Sequence, residues 1–170
     1  MNSTSKYVEA RDHFKHLGIN CGEVTVDFDK LQNSKDKAVK GLTSGIEFLF
    51  KKNKVDYLKG WGKFTSKNGV AIDMNDGSKQ EIKAKNVIIA TGSEPASLPK
   101  GMLDIDEEYV VTSTGALALK KIPKRMIVVG GGVIGLEMGS VYARLGTDVT
   151  VIQHTERICP FLDKEVSTQF

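Results

Sequence analysis

One short stretch of the chain has residue types at the spacing that phosphate binding requires. The glycines at positions 130, 132 and 135 give the pattern Gly-x-Gly-x-x-Gly, between a strand-like run at 126–129 and a helix-like run at 132–144. Here Gly130 allows a tight turn, Gly132 admits a pyrophosphate close to the backbone, and Gly135 lets the helix pack on the strand. N–H groups at the helix start then hold the phosphates. The stretch predicts a dinucleotide site; a turn that serves only close packing is the alternative.

The next strand-like run, 148–152, ends at Gln153, where a dinucleotide site usually has Asp or Glu to bind the adenine ribose. Glutamine can still accept a hydrogen bond through its carbonyl oxygen. It lacks the charge that strengthens this bond and repels a 2′-phosphate, so we expect a weakened preference for NAD over NADP. Arg157 lies four residues further on and could attract such a phosphate, although a solvated loop charge is the plainer interpretation.

Other reactive side chains form no recognisable site. Cys21 and Cys159 lie far apart and belong to no Cys-x-x-Cys pattern, which favours two reduced, idle thiols and a reducing compartment. His13 and His16 could share a helix face, but without Cys or carboxylate neighbours they make a poor metal site. His154 is expected in a loop. We therefore predict no metal centre and assign no role to either cysteine.

Composition excludes several classes of protein. A length of 170 residues corresponds to about one domain of roughly 150 residues, or to two small or incomplete ones. The chain is 40% apolar and 26% charged, values typical of folded proteins, and it has no apolar run of the roughly 20 residues that cross a bilayer. A net charge of +3 is too small to indicate nucleic-acid binding. We expect neither a membrane nor a nucleic acid as partner.

The elements that must position the glycine stretch follow from periodicity. Apolar residues at spacings of three and four predict a helix over 31–52, and Thr112–Thr114 is expected to cap a short helix at 115–119. Five β-like runs, broken by Asn-Gly and Asp-Gly turns, indicate an antiparallel meander; they are 56–58, 62–65, 70–74, 80–83 and 87–90. The last is continuously apolar, as a strand covered on both faces should be.

Five blocks of this sequence, in the same order, resemble the dihydrolipoamide dehydrogenases, which are flavoprotein disulfide reductases. The blocks are Ala-Val-Lys-Gly-Leu-Thr at 38–43, Gly-Trp-Gly-Lys at 60–63, Val-Ile-Ile-Ala-Thr-Gly-Ser-Glu-Pro at 87–95, Ser-Thr-Gly-Ala-Leu at 113–117 and Gly-Val-Ile-Gly-Leu-Glu-Met-Gly-Ser at 132–140. The resemblance implies an α/β fold. Residues 1–122 would be the C-terminal part of an FAD-binding Rossmann-like domain with its antiparallel β-meander and a connector, and 123–170 the first βαβ of an NAD-binding Rossmann domain.

The resemblance also assigns cofactor contacts to individual residues. Gly62 and the run Thr91, Gly92 and Ser93 match positions that contact the flavin of FAD. The NAD site is matched by Gly130, Gly131, Gly132, Val133, Ile134, Gly135, Leu136, Glu137 and Gln153. Glu137 matches a glutamate that pairs with a lysine beside the flavin; that lysine is not identifiable here, and a solvated glutamate is the alternative. Val133 matches an aromatic gate of some relatives, and its small side chain fits the lipoamide branch.

In the family, electrons pass from dihydrolipoamide through a redox-active disulfide and FAD to NAD. The first Gly-x-Gly-x-x-Gly, the Cys-x₄-Cys pair and the terminal interface domain with its His and Glu acid/base pair lie outside these residues. We therefore expect an internal fragment or a truncated gene product that holds no catalytic residue, apart from Glu137 in a supporting role. The isolated chain should have negligible lipoamide activity.

Partners and compartment follow from the resemblance alone. The complete protein would act on dihydrolipoamide carried by a protein of the 2-oxoacid dehydrogenase complexes or the glycine cleavage system, and would be a homodimer. It would work in the mitochondrial matrix of a eukaryote or in the bacterial cytoplasm. Two alternatives stay open: another disulfide reductase of this architecture, such as a mercuric or glutathione reductase, and a nucleotide-binding module without chemistry.

Overall fold

The computed structural model describes residues 1–96, 98–99 and 101–170. Its helices are α1 (Asn2–Val8), α2 (Phe28–Lys52), α3 (Ser113–Leu117), α4 (Val133–Arg144) and α5 (Lys164–Gln169), with tighter or wider helical turns at Glu9–His13 and Phe14–Leu17; its strands are β1 (Gly60–Phe64), β2 (Gly69–Met74), β3 (Lys79–Lys83), β4 (Arg125–Val129) and β5 (Asp148–Ile152). The chain forms two compact units. Unit 1 contains Met1–Lys35 and Pro95–Phe170, and unit 2 contains Asp36–Glu94. The domain limits at 122 and 123 stay a prediction.

Unit 2 contains an antiparallel sheet in the order β1-β2-β3, which confirms the predicted meander. Phe64 pairs with Val70, and Asp73 with Lys79, so each connection is short. The second turn contains Gly77 at φ 87°, a left-handed conformation that glycine adopts without the steric cost of a side chain. Ile72, in the middle of β2, is only 7% exposed and is the buried apolar residue of this sheet.

Two of the predicted β runs are wrong. Residues 56–58 form no strand; the Tyr57 ring instead contacts the Phe50 ring at the end of α2, with centroids 5.2 Å apart. Residues 87–90 form no strand either, and Ile88 is 90% exposed. A continuously apolar strand needs a hydrogen-bonded neighbour, and it needs cover on both faces. The described residues place no strand beside this run.

Unit 1 contains the predicted strand, helix, strand motif. β4 and β5 are parallel, with Arg125 opposite Asp148 and Val129 opposite Ile152, and α4 connects them and packs on both. The predicted helix end is also confirmed. The C-cap is Leu145, and Gly146 follows at φ 97°. This left-handed residue lets the chain turn back into β5.

A short helix is fixed against α4 by one buried hydrogen bond. Thr112 Oγ1 accepts from the N–H of Thr114, which confirms a cap in the predicted stretch, although α3 begins at Ser113 and ends at Leu117, two residues earlier at each end than predicted. The Tyr142 hydroxyl donates to the carbonyl of Ala116 at 2.5 Å, and Tyr142 is 3% exposed. Because burial disfavours the charged phenolate, the pKa of Tyr142 is raised.

The connector before α3 is ordered by a side chain that bonds to the backbone. The Asp106 carboxylate accepts hydrogen bonds from the N–H groups of Glu108, Tyr109 and Val110, each at 2.8 Å. These donors stabilise the charged carboxylate, so the pKa of Asp106 is lowered. Residues 106–110 therefore have a defined backbone path outside any helix or strand.

The longest helix, α2, has 25 residues, and none of them is buried. In the part of the chain that the structure describes, neither this helix nor any other combines the length and apolar character needed to cross a membrane. The sequence of α2 includes six lysines, at positions 30, 35, 37, 40, 51 and 52.

Candidate dinucleotide site

The glycine turn, defined here as residues 130–135, lies at the carboxyl ends of both parallel strands. Gly130 has φ 108°, which only glycine adopts without strain, and its N–H donates to the carbonyl of Ile152 at 2.8 Å. The turn is thus bonded to the end of β5 as well as continuous with β4. In open α/β sheets this edge is where nucleotides bind.

The N-terminus of α4 is open. Its N-cap is Gly132, in an extended conformation, with no side chain that caps the helix and no acidic residue in the first turn. Apart from its neighbours in sequence, a Cβ built on Gly132 would meet no atom of the described residues within 4 Å. The first N–H groups of a helix have no partner within the helix, and together with the helix dipole they favour an anion. The open side at Gly132 is therefore suited to a pyrophosphate.

Gly135 holds the helix close to the strand. A Cβ at this position would overlap the carbonyl oxygen of Gly130 and lie 3.0 Å from Val128 Cγ1. Gly139, one turn further along, is less crowded: a Cβ there would lie 3.4 Å from Val149 Cγ1, an ordinary contact. The close approach that the sequence predicts for the third glycine thus requires a glycine at Gly135. At Gly139 a small side chain would fit.

Gln153 bonds to the turn itself. Its Oε1 accepts from the N–H of Gly131 at 2.7 Å, and its Nε2 donates to Thr155 Oγ1 at 2.7 Å. The Thr155 hydroxyl in turn donates to the carbonyl of Arg157 at 2.8 Å. The side chain that was expected to accept from a ribose therefore uses its acceptor on the glycine turn.

Cys159 bonds to the other backbone group of Gly131. Its N–H donates to the carbonyl of Gly131 at 2.7 Å, its own carbonyl accepts from Ser167 Oγ, and it is 0% exposed. A Cβ on Gly131 would lie 2.8 Å from Ile158 Cγ2, so glycine is needed here as well. Sequence reasoning missed this role of Cys159, because its only signal was the additional glycine at 131.

Two buried arginine nitrogens in this unit have no hydrogen-bond partner among the residues that the structure describes. They are Nη1 of Arg157, in the loop after β5, and Nη1 of Arg144, in the last turn of α4. A buried donor without an acceptor is costly, especially in a charged group. Glu137, by contrast, is exposed on α4, and its role beside a flavin stays a prediction.

The residues matched to the flavin lie in unit 2. Gly62 is in the middle of β1 opposite Ile72, and Thr91, Gly92 and Ser93 are exposed residues outside any helix or strand. Gly92 has φ 77°. These exposed residues do not by themselves form a cradle for a flavin.

Comparisons with known proteins find one matching family model and several similar sequences. Residues 3–170 match the family model described as pyridine nucleotide-disulphide oxidoreductase. The chain is 52% identical over 170 residues to the mitochondrial dihydrolipoyl dehydrogenase of Dictyostelium discoideum, and it covers 34% of that protein. It is 51% identical over 168 residues to the dihydrolipoyl dehydrogenase of Trypanosoma brucei brucei. The matched residues are 98% of this chain and 35% of that protein.

A third relative and a solved structure also match nearly the whole of this chain. The leghemoglobin reductase of Vigna unguiculata is 51% identical over the whole chain, which covers 32% of it. The crystal structure of LpdA from Mycobacterium tuberculosis matches 99% of this chain with a TM-score of 0.84 and 25% identity, and the chain covers 36% of it. The chain thus spans about a third of the length of the relatives it matches.

Proposed function

The chain belongs to the pyridine nucleotide-disulphide oxidoreductase family, and we propose that it provides the pyrophosphate-binding turn for NAD in a dihydrolipoyl dehydrogenase. The observation that carries the proposal is the open N-terminus of α4 at Gly132, where an added Cβ meets no described residue within 4 Å other than its neighbours in sequence. Identity of about half to dihydrolipoyl dehydrogenases supports this member of the family.

Each part of the turn has a physical task in holding the dinucleotide. The N–H groups at the start of α4 bind the pyrophosphate, and the absence of a side chain on Gly132 lets the phosphates approach them. Gly130 sets the direction of the turn, and Gly135 keeps α4 against β4 so that the N–H groups stay in place. The bound nicotinamide supplies the group that accepts a hydride.

The reaction proposed for the whole protein is the oxidation of dihydrolipoamide to lipoamide with reduction of NAD⁺ to NADH and release of a proton. Within these 170 residues, the cysteines at 21 and 159 form no closely spaced pair, and one is exposed while the other is buried. We therefore expect the isolated chain to bind nucleotide and to have negligible lipoamide activity.

The finer assignments belong to the same proposal. The meander of unit 2 with residues 87–95 would be part of an FAD-binding domain, and β4, α4 and β5 the first part of an NAD-binding domain. Gly62, Thr91, Gly92 and Ser93 would contact the flavin. Glu137 would support the flavin and nicotinamide. The names of several relatives include the word mitochondrial, which supports that compartment for the complete protein.

Partners are proposed on the same basis. Dihydrolipoamide on a carrier protein is the expected substrate, and a second identical subunit the expected partner of the complete protein. A nucleotide-binding module without chemistry is the second candidate for the chain by itself, and the observation that favours it is the separation of the two cysteines in sequence. Turnover of dihydrolipoamide by the chain alone would exclude this second candidate.

The test uses the substitution Gly132→Asp, which should separate binding from stability. An Asp side chain has room at this position, and as an N-cap it can accept from the first N–H groups of α4, so the fold should be kept or slightly stabilised. The same carboxylate would occupy and repel the pyrophosphate. We expect the affinity for NADH, measured by fluorescence titration, to weaken by about a hundredfold.

Gly139→Ala is the matched control, because it lies on the same helix and meets only ordinary contacts. It should bind NADH as the unsubstituted chain does. Equal affinity of the Gly132→Asp variant and the unsubstituted chain would contradict the proposed site.

A further inference from the structure

The loop after β5 differs from the usual adenine-ribose site, because it presents an amide where that site has a carboxylate. This loop, called the β5 loop here, comprises residues 153–157. Gln153 Oε1 already accepts from the Gly131 N–H, whereas Nε2 carries two hydrogens and the structure records one acceptor for them, Thr155 Oγ1. One hydrogen of the Gln153 amide is therefore left to donate to a further acceptor. A carboxylate at this position would be an acceptor only, and would be charged.

Arg157 supplies the second observation. Its Nη1 is buried and, among the residues that the structure describes, meets no hydrogen-bond acceptor. The backbone of Arg157 belongs to the same series of hydrogen bonds, because its carbonyl accepts from Thr155 Oγ1. A guanidinium is the side chain best suited to a phosphate, since its planar fork donates two parallel bonds to two oxygens.

We propose that the β5 loop accepts a 2′-phosphate on the adenine ribose, so that this site takes NADP as well as NAD. Gln153 is the specificity-determining residue, and Arg157 is the partner of the phosphate. The inference rests on the proposed function, because it needs the dinucleotide to lie on the glycine turn. It follows from three features of the loop: a neutral side chain at 153, a remaining amide donor and an unpaired guanidinium nitrogen.

The test measures dissociation constants of NAD⁺ and NADP⁺ by calorimetry with the full chain. For the unsubstituted chain we expect the two constants to agree within about tenfold. Gln153→Glu keeps an oxygen for the Gly131 N–H and replaces the amide donor by a charge. We expect it to weaken NADP⁺ relative to NAD⁺ by at least about tenfold, because a carboxylate repels the phosphate and accepts from a free ribose hydroxyl.

Arg157→Ala examines the second residue. It should weaken NADP⁺ by at least about tenfold and change NAD⁺ by no more than about twofold. Two controls make the same change of charge elsewhere in unit 1. Gln169→Glu changes an exposed residue in α5, and Arg144→Ala removes the other side chain whose buried Nη1 has no partner among the described residues, at the opposite end of α4 from the glycine turn. Neither control should alter the ratio of the two constants.

Each outcome decides between the two levels of the proposal. If NAD⁺ binds and the ratio is unchanged in Gln153→Glu and Arg157→Ala, the β5 loop does not read the 2′ position and the inference is overturned. If NADP⁺ is rejected by the unsubstituted chain while NAD⁺ binds, the inference fails and the proposed function stands. If neither nucleotide binds at millimolar concentration, both are overturned, and the Gly132→Asp comparison will show no difference either.

Discussion

The glycine turn and the segment at 87–93 both contain residues that the family resemblance assigns to a cofactor, and they differ in how well this chain supports them. The N–H of Gly131 donates to Gln153 and its carbonyl accepts from Cys159, and Gly130 is bonded to β5. Residues 87–93 lie outside any helix or strand, with Ile88 and Ile89 exposed. The difference lies in where each stretch finds its hydrogen-bond partners.

β4 is followed by its parallel neighbour within the same βαβ motif, because α4 returns the chain to the start of β5. The meander is equally local, since each of its strands pairs with the next one along the chain. Residues 87–90 are apolar and rich in β-branched side chains, as a buried parallel strand is, but composition alone provides no neighbour. Strand formation thus depends on a partner within reach as much as on residue type.

The largest effect is expected where the glycine turn is most crowded. Gly135→Ala places a Cβ against the backbone oxygen of Gly130, so the turn or α4 must shift, at a cost of about 3 kcal/mol or more. Gly139→Ala is the matched control and should raise stability by about 0.5 kcal/mol through helix propensity. Thermal unfolding of both variants checks this; equal melting temperatures would show that the crowding is relieved without cost.

A second prediction compares the paired sheet of unit 2 with the unpaired run. Ile72→Ala removes a buried side chain and should lower the free energy of unfolding by about 2–4 kcal/mol. Ile88→Ala removes the same atoms from an exposed position and should change it by less than about 0.5 kcal/mol. Urea unfolding measures both values. A large loss for Ile88→Ala would mean that residues 87–90 are buried in solution.

These contrasts show what the sequence could predict. Helical periodicity, turn residues and the cap at Thr112 predicted α2, α3, α4, the three meander strands and the βαβ motif, because each depends on neighbours in sequence. The run at 87–90 failed because pairing is not local. At the site, Gly130, Gly132 and Gly135 were predictable from spacing, whereas the bonds of Gln153 and Cys159 to Gly131 join residues more than 20 positions apart and leave no periodic signal.

A third prediction concerns the bond between α4 and α3. Tyr142→Phe leaves the buried Ala116 carbonyl without its donor and should cost about 1–2 kcal/mol. Tyr109→Phe, at an exposed position, should cost nothing measurable. Because burial raises the pKa of Tyr142 above 10.0, the folded chain holds this proton more tightly than the unfolded chain does. Stability should therefore fall as pH rises from about 10 through the raised pKa.

Chemical denaturation between pH 8 and pH 11 tests this prediction. Tyr142→Phe should show a smaller fall over the upper part of that range than Tyr109→Phe does. Parallel curves for the two variants would contradict it.

The smallest effect is expected in the connector between the two stretches. The Asp106 carboxylate is held in its charged form by three backbone N–H groups, which lowers its pKa. The contribution of the Asp106 carboxylate to stability should be present above the ordinary carboxyl pKa of 3.8. It should be lost as pH falls through the lowered pKa. Asp106→Asn should accelerate amide exchange at Glu108, Tyr109 and Val110 at neutral pH and leave β4 unaffected. Unchanged exchange rates at these three amides would show that the carboxylate does not order the connector.

The burial of Cys159 allows opening of the glycine turn to be timed by thiol chemistry. Cys21 is exposed and should react at once with a disulfide reagent. Cys159 is 0% exposed, so it can react only after its own segment separates from Gly131. The slow phase of labelling therefore reports the rate of local opening. A dinucleotide that binds the turn should lengthen this phase without changing the fast one, so the two thiols give a kinetic assay of occupancy in a chain that need not turn over any substrate.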